Sequence, residues 1–446
     1  NIQTVVASKS GASLTYTKLH DAYAKLSDSD ITGTNLSDLN GVAVTYSDSF
    51  LNAQQFGTLL TAATLGGASG TVAGDVIDVP GNLTSIALGA NTTSITAEIS
   101  ANNEDLTSTD LDSDVTHIDI KGFSGVTFDK GNITGVTVVD SQGGGAYGIR
   151  DTVANLATIS VTGTAPSTIV AVVQSNDTTI SDTTLHASVT GIDLNGQTAV
   201  MNKANAHARA ITDSGSGGAF SIVDDIANLA SISLSGVSPS SVTGQVQSGD
   251  KNLKDNTIDS DVTHIDLNAI TGVTMNSANA HNRTIQATGG GNYTIVDTVA
   301  NLASTKSFAG TTASSVTANV QSGDKTVSDT TLHSRVTHID LNAQTGVVMD
   351  KANVNGRTIQ ATGGGNYTIV DTVANLASIT VTGTSAGSIT AQVQSGDTTI
   401  SDTTLDSDVT HIDLNGQAAI VNVANLTNRT VVKNGGTFTI VDDVSN

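Results

Sequence analysis

The phrase RTIQATGGGNYTIVDTVANLAS runs from Arg283 to Ser304 and returns unchanged from Arg357 to Ser378. Nothing else in the chain constrains its fold as strongly. Near-identical blocks must bury their apolar residues against neighbours carrying the same side chains, which is the signature of a stacked repeat architecture. Two motifs extend the period. The Asp of D-T-V-A-N-L stands at Asp78 (as I-D-V-P-G-N-L), Asp151, Asp224, Asp297, Asp371 and Asp442, with gaps of 73, 73, 73, 74 and 71. V-T-H-I-D-L begins at Val115, Val189 (as V-T-G-I-D-L), Val262, Val336 and Val409, with gaps of 74, 73, 74 and 73. The modules are therefore 78–150, 151–223, 224–296, 297–370 and 371–441, followed by a partial one, 442–446, and preceded by a divergent segment, 1–77.

Within a module the phrases SITVTG, SITAQVQ, VTHIDL and RTIQAT are short, alternating and rich in β-branched residues, and QSGD or TGGGN punctuates them as turns. Pro166 and Pro239 lie one module apart, which predicts the same connecting turn for both. Smaller echoes of T-I-V-D-T occur at Asp182, Asp329, Asp350 and Asp402, and the steps from Asp329 to Asp350 and from Asp350 to Asp371 are equal. The expected fold is all-β: an elongated β-solenoid (β-helix) with about three rungs of roughly 24 residues per module. At about 4.8 Å per rung, a module advances roughly 14 Å and six modules make a rod on the order of 85 Å long. In the divergent segment, Tyr16 to Leu26 and Ser49 to Leu65 are candidate helices, and Leu26 to Gly41 loosely resembles Leu405 to Gln417. This region reads as an N-terminal cap or assembly segment. The start at Asn1 suggests a processed piece, and the partial last module suggests a truncation or a coil completed by the next subunit.

Composition narrows the function classes. Aromatic residues are 3% of the chain and Trp is absent, so the interior must be built from small aliphatic side chains that stack in rows. Lys and Arg number 18 against 41 Asp and Glu, a formal charge of −23, which repels phosphate backbones and disfavours nucleic acid as a partner. The acidic balance instead favours divalent cations, and Ca²⁺ is the expected ion if one is bound. The absence of Cys removes disulfides and Cys-based zinc sites. No stretch is long and apolar enough to read as a membrane span.

The modules built on D-T-V-A-N-L, with Thr-, Ser-, Gly- and Asp-rich strands between, resemble the repetitive proteins that bacteria export to their surface, including surface-layer and adhesin-like proteins. The resemblance covers Asp78 to Asn446 and implies an extracellular or cell-surface location and a structural role. It does not extend to the glycine-aspartate nonapeptides that bind Ca²⁺ in some of those proteins, because no GGxGxD run is present.

The residues that most invite a chemical reading are His117, His264, His338 and His411, each two positions before an Asp: Asp119, Asp266, Asp340 and Asp413. On a strand that spacing puts both side chains on one face. These four carboxylates are the candidate metal ligands, and a solvated His–Asp ladder is the competing and preferred reading. Gly191 in place of His, and the roughly 14 Å expected between modules, argue against a shared ion. The Asp and Asn of D-T-V-A-N-L read as turn formers, with calcium bridging as the alternative. The GGG runs at Gly143, Gly289 and Gly363 lack a following G-K-[ST] and read as turns. An enzyme gathers its chemistry at one irregular place, whereas here the polar residues recur in every module, so the chain is expected to be no enzyme. The sequence thus points to a structural subunit of an extracellular surface layer, filament or matrix fibre that associates with itself through solenoid ends and edges. Cell-surface polysaccharide is a further expected partner. The alternatives are the stalk of a secreted adhesin and a carbohydrate-active β-helix enzyme.

Overall fold

The computed structural model describes residues 13–16, 43–46, 49–51, 75–84, 94–303 and 307–442. Ser13–Tyr16 and Ser49–Leu51 are strands, which takes the first residue of one expected helix and the first three of the other. The remainder of both spans, and Leu26 to Gly41, lie outside the described residues. The described residues form short strands in parallel sheets with a few one-turn helices, an all-β structure. No described helix is long and apolar enough to cross a membrane. The chain divides into two compact units, Asn1–Ile222 with Ser233–Ser240, and Val223–Ile232 with Ser241–Asn446.

In the first unit one sheet runs Ser49–Leu51, Asp75–Asp78, Ser94–Glu98, His117–Asp119, Thr137–Val139, Thr162–Gly163, every pair parallel. A second runs Ser124–Phe128, Ala146–Thr152, Thr168–Val172, Gly191–Asp193, Ala210–Thr212, Ser235–Gly236, again all parallel. The second unit repeats the pattern with Val273–Met275, Tyr293–Thr298, Ser315–Asn319, His338–Asp340, Thr358–Gln360, Thr382–Gly383. Val347–Met349, Tyr367–Thr372, Ser388–Gln392, His411–Asp413 and Thr430–Val432 follow in the same order.

Period-two alternation explains which residues face in. Ile118 stacks on Val138, Ile149 on Ile169, Ala318 on Ile339 and Ile339 on Ile359, all essentially inaccessible to solvent, while Thr, His and Gln point out. Each fully buried Ile or Val contributes roughly 1.5–3 kcal/mol, so stability is spread along the rows and does not centre on one core. Pro166 and Pro239 precede Thr168–Val172 and Ser241–Gln245 in equivalent loops, where no ladder hydrogen bond is lost.

The chain lays a new strand beside an old one at a nearly fixed interval. Register partners along the second sheet are Val126 and Tyr147, Ile149 and Ile169, Ala171 and Ile192, Ile192 and Ile211, and Ile211 and Gly236. The first four of these returns are shorter than the even interval that the sequence suggests, and the last, from Ile211 to Gly236, is the one long step of the module. The module period exceeds three such steps and falls short of four. Equivalent strands of successive modules therefore enter different sheets: His117–Asp119 lies in the first sheet of its unit and Gly191–Asp193 in the second.

Two details fix the long step. Gly163, Gly236, Gly310 and Gly383 sit at φ of +84° to +89°. A Cβ there would stand 2.0 to 2.1 Å from the carbonyl oxygens of Val138, Ile211, Ile285 and Ile359, so only glycine lets the backbone close on the neighbouring strand. Just beyond, the buried phenols of Tyr147, Tyr293 and Tyr367 donate to the carbonyls of Thr164, Thr311 and Thr384 at 2.6, 2.8 and 2.8 Å. Burial pushes the Tyr147 and Tyr367 hydroxyls up to about 12, so both remain protonated donors. Phe220 takes this place in the second module, leaving the equivalent carbonyl of Val237 without that donor. Phe220→Tyr is expected to add the missing bond and stabilise the chain by about 1 kcal/mol in urea unfolding. Unchanged or lower stability would show that the ring pocket, not the hydrogen bond, decides the residue.

Candidate functional site

The V-T-H-I-D-L strand places its residues as the alternation requires. His117, His264, His338 and His411 face outward, each in register between two threonines: Thr96 and Thr137, Thr243 and Thr284, Thr317 and Thr358, Thr390 and Thr430. Each ring Nδ1 lies 2.8 to 2.9 Å from the hydroxyl of the preceding Thr116, Thr263, Thr337 or Thr410. Those hydroxyls also accept the backbone N–H of Ile95, Val242, Val316 and Ile389 on the neighbouring strand. The expected ladder is not built, because the strands carrying the four histidines belong to four separate sheets.

The four candidate metal ligands hold corners. Asp119 accepts the N–H groups of Lys121 and Ser141, Asp266 those of Asn268 and Thr288, and Asp340 those of Asn342 and Thr362, at 2.9 to 3.1 Å. Asp413 accepts the N–H of Asn415 and the side-chain amide of Asn434 at 2.9 and 2.8 Å. The residue two positions after each Asp is left-handed, with φ of 47° to 49° at Lys121, Asn268, Asn342 and Asn415, and the carboxylate pins that corner to the next strand. Burial alone would push Asp340 up, but the Asn342 and Thr362 donors outweigh it and hold the carboxyl below its usual range. Among the described residues no three His, Asp or Glu side chains come together as a metal-holding group.

The second module departs from the others in carrying Gly191 in place of His. Arg150, unique at its position in the repeat, extends along the outward face past Val170 and Gly191 to pair with Asp193 and reach Ser214. A Cβ at Gly191 would meet the Ala210 carbonyl oxygen at 3.2 Å and the Val170 side chain at 3.6 Å. Asp193 is buried, and burial would raise its pKa. The Ser214 hydroxyl and N–H, the Arg150 guanidinium and the Asn195 N–H outweigh that and hold it down to about 2.

The Asp of D-T-V-A-N-L does form a turn. Asp151, Asp297 and Asp371 each accept the side-chain amide of the Asn four residues on, at 2.6 to 2.7 Å, and the next residue's N–H. The second carboxylate oxygen takes the N–H of Lys130, Ser277 or Lys351, the first residue of a one-turn helix some twenty residues earlier. Two modules bring a second carboxylate close. Asp129 and Asp350 are pushed up by burial and, among smaller causes, by the charges of Asp151 and Asp371.

Two residue types that sequence reasoning did not single out satisfy carbonyls at the corners. Asn132, Asn205, Asn279, Asn353 and Asn425 are buried, and each donates its amide to carbonyls of the preceding strand connection. Asn279, for example, donates to Leu253 and Asn256 at 2.6 Å each and accepts the Ile258 N–H at 3.3 Å. Arg283 spreads its guanidinium over the carbonyls of Val262, Ala278, Asn279, Ile258 and Asp259 at 2.8 to 3.1 Å. Arg209, Arg357 and Arg429 repeat the arrangement, and burial lowers the pKa of all four. The first module has Val136 there. The signal that could have revealed these residues is the recurring [DN]-x-x-N phrase followed by Arg.

No family model matches the chain, and no curated protein matches it. Among solved structures, one titled "Crystal structure of PEPR1-AtPEP1" is similar at 9% identity over 91% of this chain, with a TM-score of 0.19, a level of likeness that carries no inference. The chain spans 63% of the length of that structure's chain.

The folded Asp193 titrates near 2 against 3.8 for the free side chain, so its contribution is complete above the latter value and is lost as pH falls from about 4 through about 2. Asp193→Asn is expected to flatten the stability–pH curve by about 2 kcal/mol across that window. Chemical denaturation at stepped pH checks this; parallel curves for the two proteins would remove the Arg150–Asp193 pair as a stabilising element.

Proposed function

We propose that the parallel returns close into an elongated β-solenoid and that the chain is a structural subunit of an extracellular surface layer, filament or matrix fibre. The observation that carries this reading is how the recurring polar groups are used. The Asp, Asn and Arg side chains that repeat from module to module are committed to backbone groups of neighbouring strands, as in Asp340, Asn279 and Arg283. Such residues specify a scaffold that can be extended by adding modules, since each strand needs only the one before it. The outward faces are acidic overall, with Thr, Gln and His between the carboxylates, which suits a hydrated cell exterior and contact with hydroxyl-rich polysaccharide. Ca²⁺ enters this proposal only as a bridge between acidic surfaces of neighbouring subunits.

Negative-stain electron microscopy of the purified chain over a concentration series, with and without Ca²⁺, tests the reading. Fibres or sheets are the expected outcome, and Ca²⁺ is expected to lower the concentration at which they form. Rods that stay single at every concentration would replace the reading with an adhesin stalk. Turnover of an acidic polysaccharide by the same preparation would replace it with an enzyme.

A further inference from the structure

The phrase L-N-G-Q occurs twice, at 194–197 and at 414–417, each time as the corner that follows a strand ending in Asp. The two corners are built alike. Asn195 and Asn415 both have φ of 49°, and Gly196 and Gly416 follow at 74° and 78°. Asp193 and Asp413 accept the N–H of these asparagines at 3.0 and 2.9 Å, and the amides of Gln197 and Gln417 donate to their carbonyls at 3.3 Å.

One bond distinguishes them. Gly196 donates its N–H to the Asp213 carboxylate at 2.7 Å, one strand return later. The residue in this place is held likewise in three other modules: Gly122 by the Asp140 carboxylate at 2.6 Å, and Ala269 and Ala343 by the carbonyls of Thr288 and Thr362 at 2.9 Å. Among the described residues the Gly416 N–H has no such acceptor. The return that supplies it elsewhere is present here and pairs in register on both sides of the corner, Asp413 with Val432 and Ala418 with Thr437. What differs is the connection itself. Residues 433–436 join those strands where the longer 213–218 joins Thr212 to Ala219, and Lys433 stands in the place of Asp213.

That difference controls a reaction. In an Asn-Gly pair no side chain on the second residue shields its nitrogen. Hydroxide from the solvent takes the Gly N–H proton, the nitrogen attacks the Asn Cγ to form a C–N bond, and the amide nitrogen leaves as ammonia. Water then opens the five-membered imide at either carbonyl, leaving Asp or isoaspartate. An N–H committed to a carboxylate is withheld from this path, because the bond must break before the proton is lost and the adjacent negative charge disfavours the nitrogen anion. Both corners start from the same backbone conformation, so the rearrangement that brings the nitrogen to Cγ is common to them. We infer that Asn415–Gly416 is a site of spontaneous isoaspartate modification and that Asp213 protects the identical phrase at Asn195–Gly196. The product puts a new carboxylate in the corner that already holds Asp413, and it removes the amide that Asn415 donates to the Val393 carbonyl at 3.4 Å.

Peptide mapping by mass spectrometry, with fragment ions placing each modified residue, tests this on the folded full-length chain held in mildly alkaline buffer. Asn415 is expected to convert at least about tenfold faster than Asn195, the factor that one charge-assisted hydrogen bond supplies. Unfolded in urea, the two identical phrases are expected to convert at the same rate. Asn415 is also the more exposed of the two, and Asp213→Ala separates exposure from the bond. The variant is expected to raise the Asn195 rate to that of Asn415. Asp213 also accepts the Gly218 N–H at 2.8 Å, so the circular dichroism spectrum of the variant is compared with wild type. Should the variant lose its fold, hydrogen exchange on the wild-type chain takes its place, with the Gly196 amide expected to exchange slowly and the Gly416 amide fast. Equal rates of conversion at the two sites in the folded wild type, no conversion at Asn415, an Asn195 that stays slow in folded Asp213→Ala, or equal exchange of the two glycine amides would overturn the inference.

Discussion

A chain that lays each strand parallel to the one before it must turn back across the structure every twenty or so residues, and every corner strands backbone carbonyls and N–H groups that no ladder can satisfy. This chain answers with buried side chains that reach from one strand connection to the next. Arg283 alone accounts for five carbonyls, and Asn279 ties two more to its own helix turn. Left unpaired when buried, such groups would each cost about 1–3 kcal/mol, comparable with burying an isoleucine. The rows of Ile and Val give the structure its cohesion, but the polar corners decide where the chain is allowed to turn.

That division of labour explains what the sequence disclosed. Strands and their faces were legible because alternation is a local property: Ile118 in and His117 out follows from the period of a strand. The turn role of Asp151 with Asn155 was legible for the same reason, since both partners lie in one phrase. Asn205 and Arg209 were harder to read, because several of their partners are carbonyls a whole strand return earlier, and only the recurrence of the [DN]-x-x-N phrase with its following Arg marks them. The module length was visible and the number of strand steps within it was not. The period of the sequence says nothing about how many times the backbone returns, and three and a fraction looks the same as three.

The mismatch between module and return has a consequence for function. A feature repeated once per module, such as the outward His of H-I-D, is handed to a new sheet each time and never accumulates into one continuous row. A one-sided recognition face would demand the opposite phase. What does persist from return to return is the backbone ladder and the apolar row beneath it.

Nitroxide labels on engineered cysteines measure the strand returns most directly, because the chain has no cysteine of its own. Labels at Thr96→Cys with His117→Cys, and at His117→Cys with Thr137→Cys, should broaden the continuous-wave spectrum as neighbours about 5 Å apart between strands do, while His117→Cys with Gly191→Cys should not. Broadening of the 117–191 pair, with none for 117–137, would mean that modules stack as whole units and would contradict the fold described above.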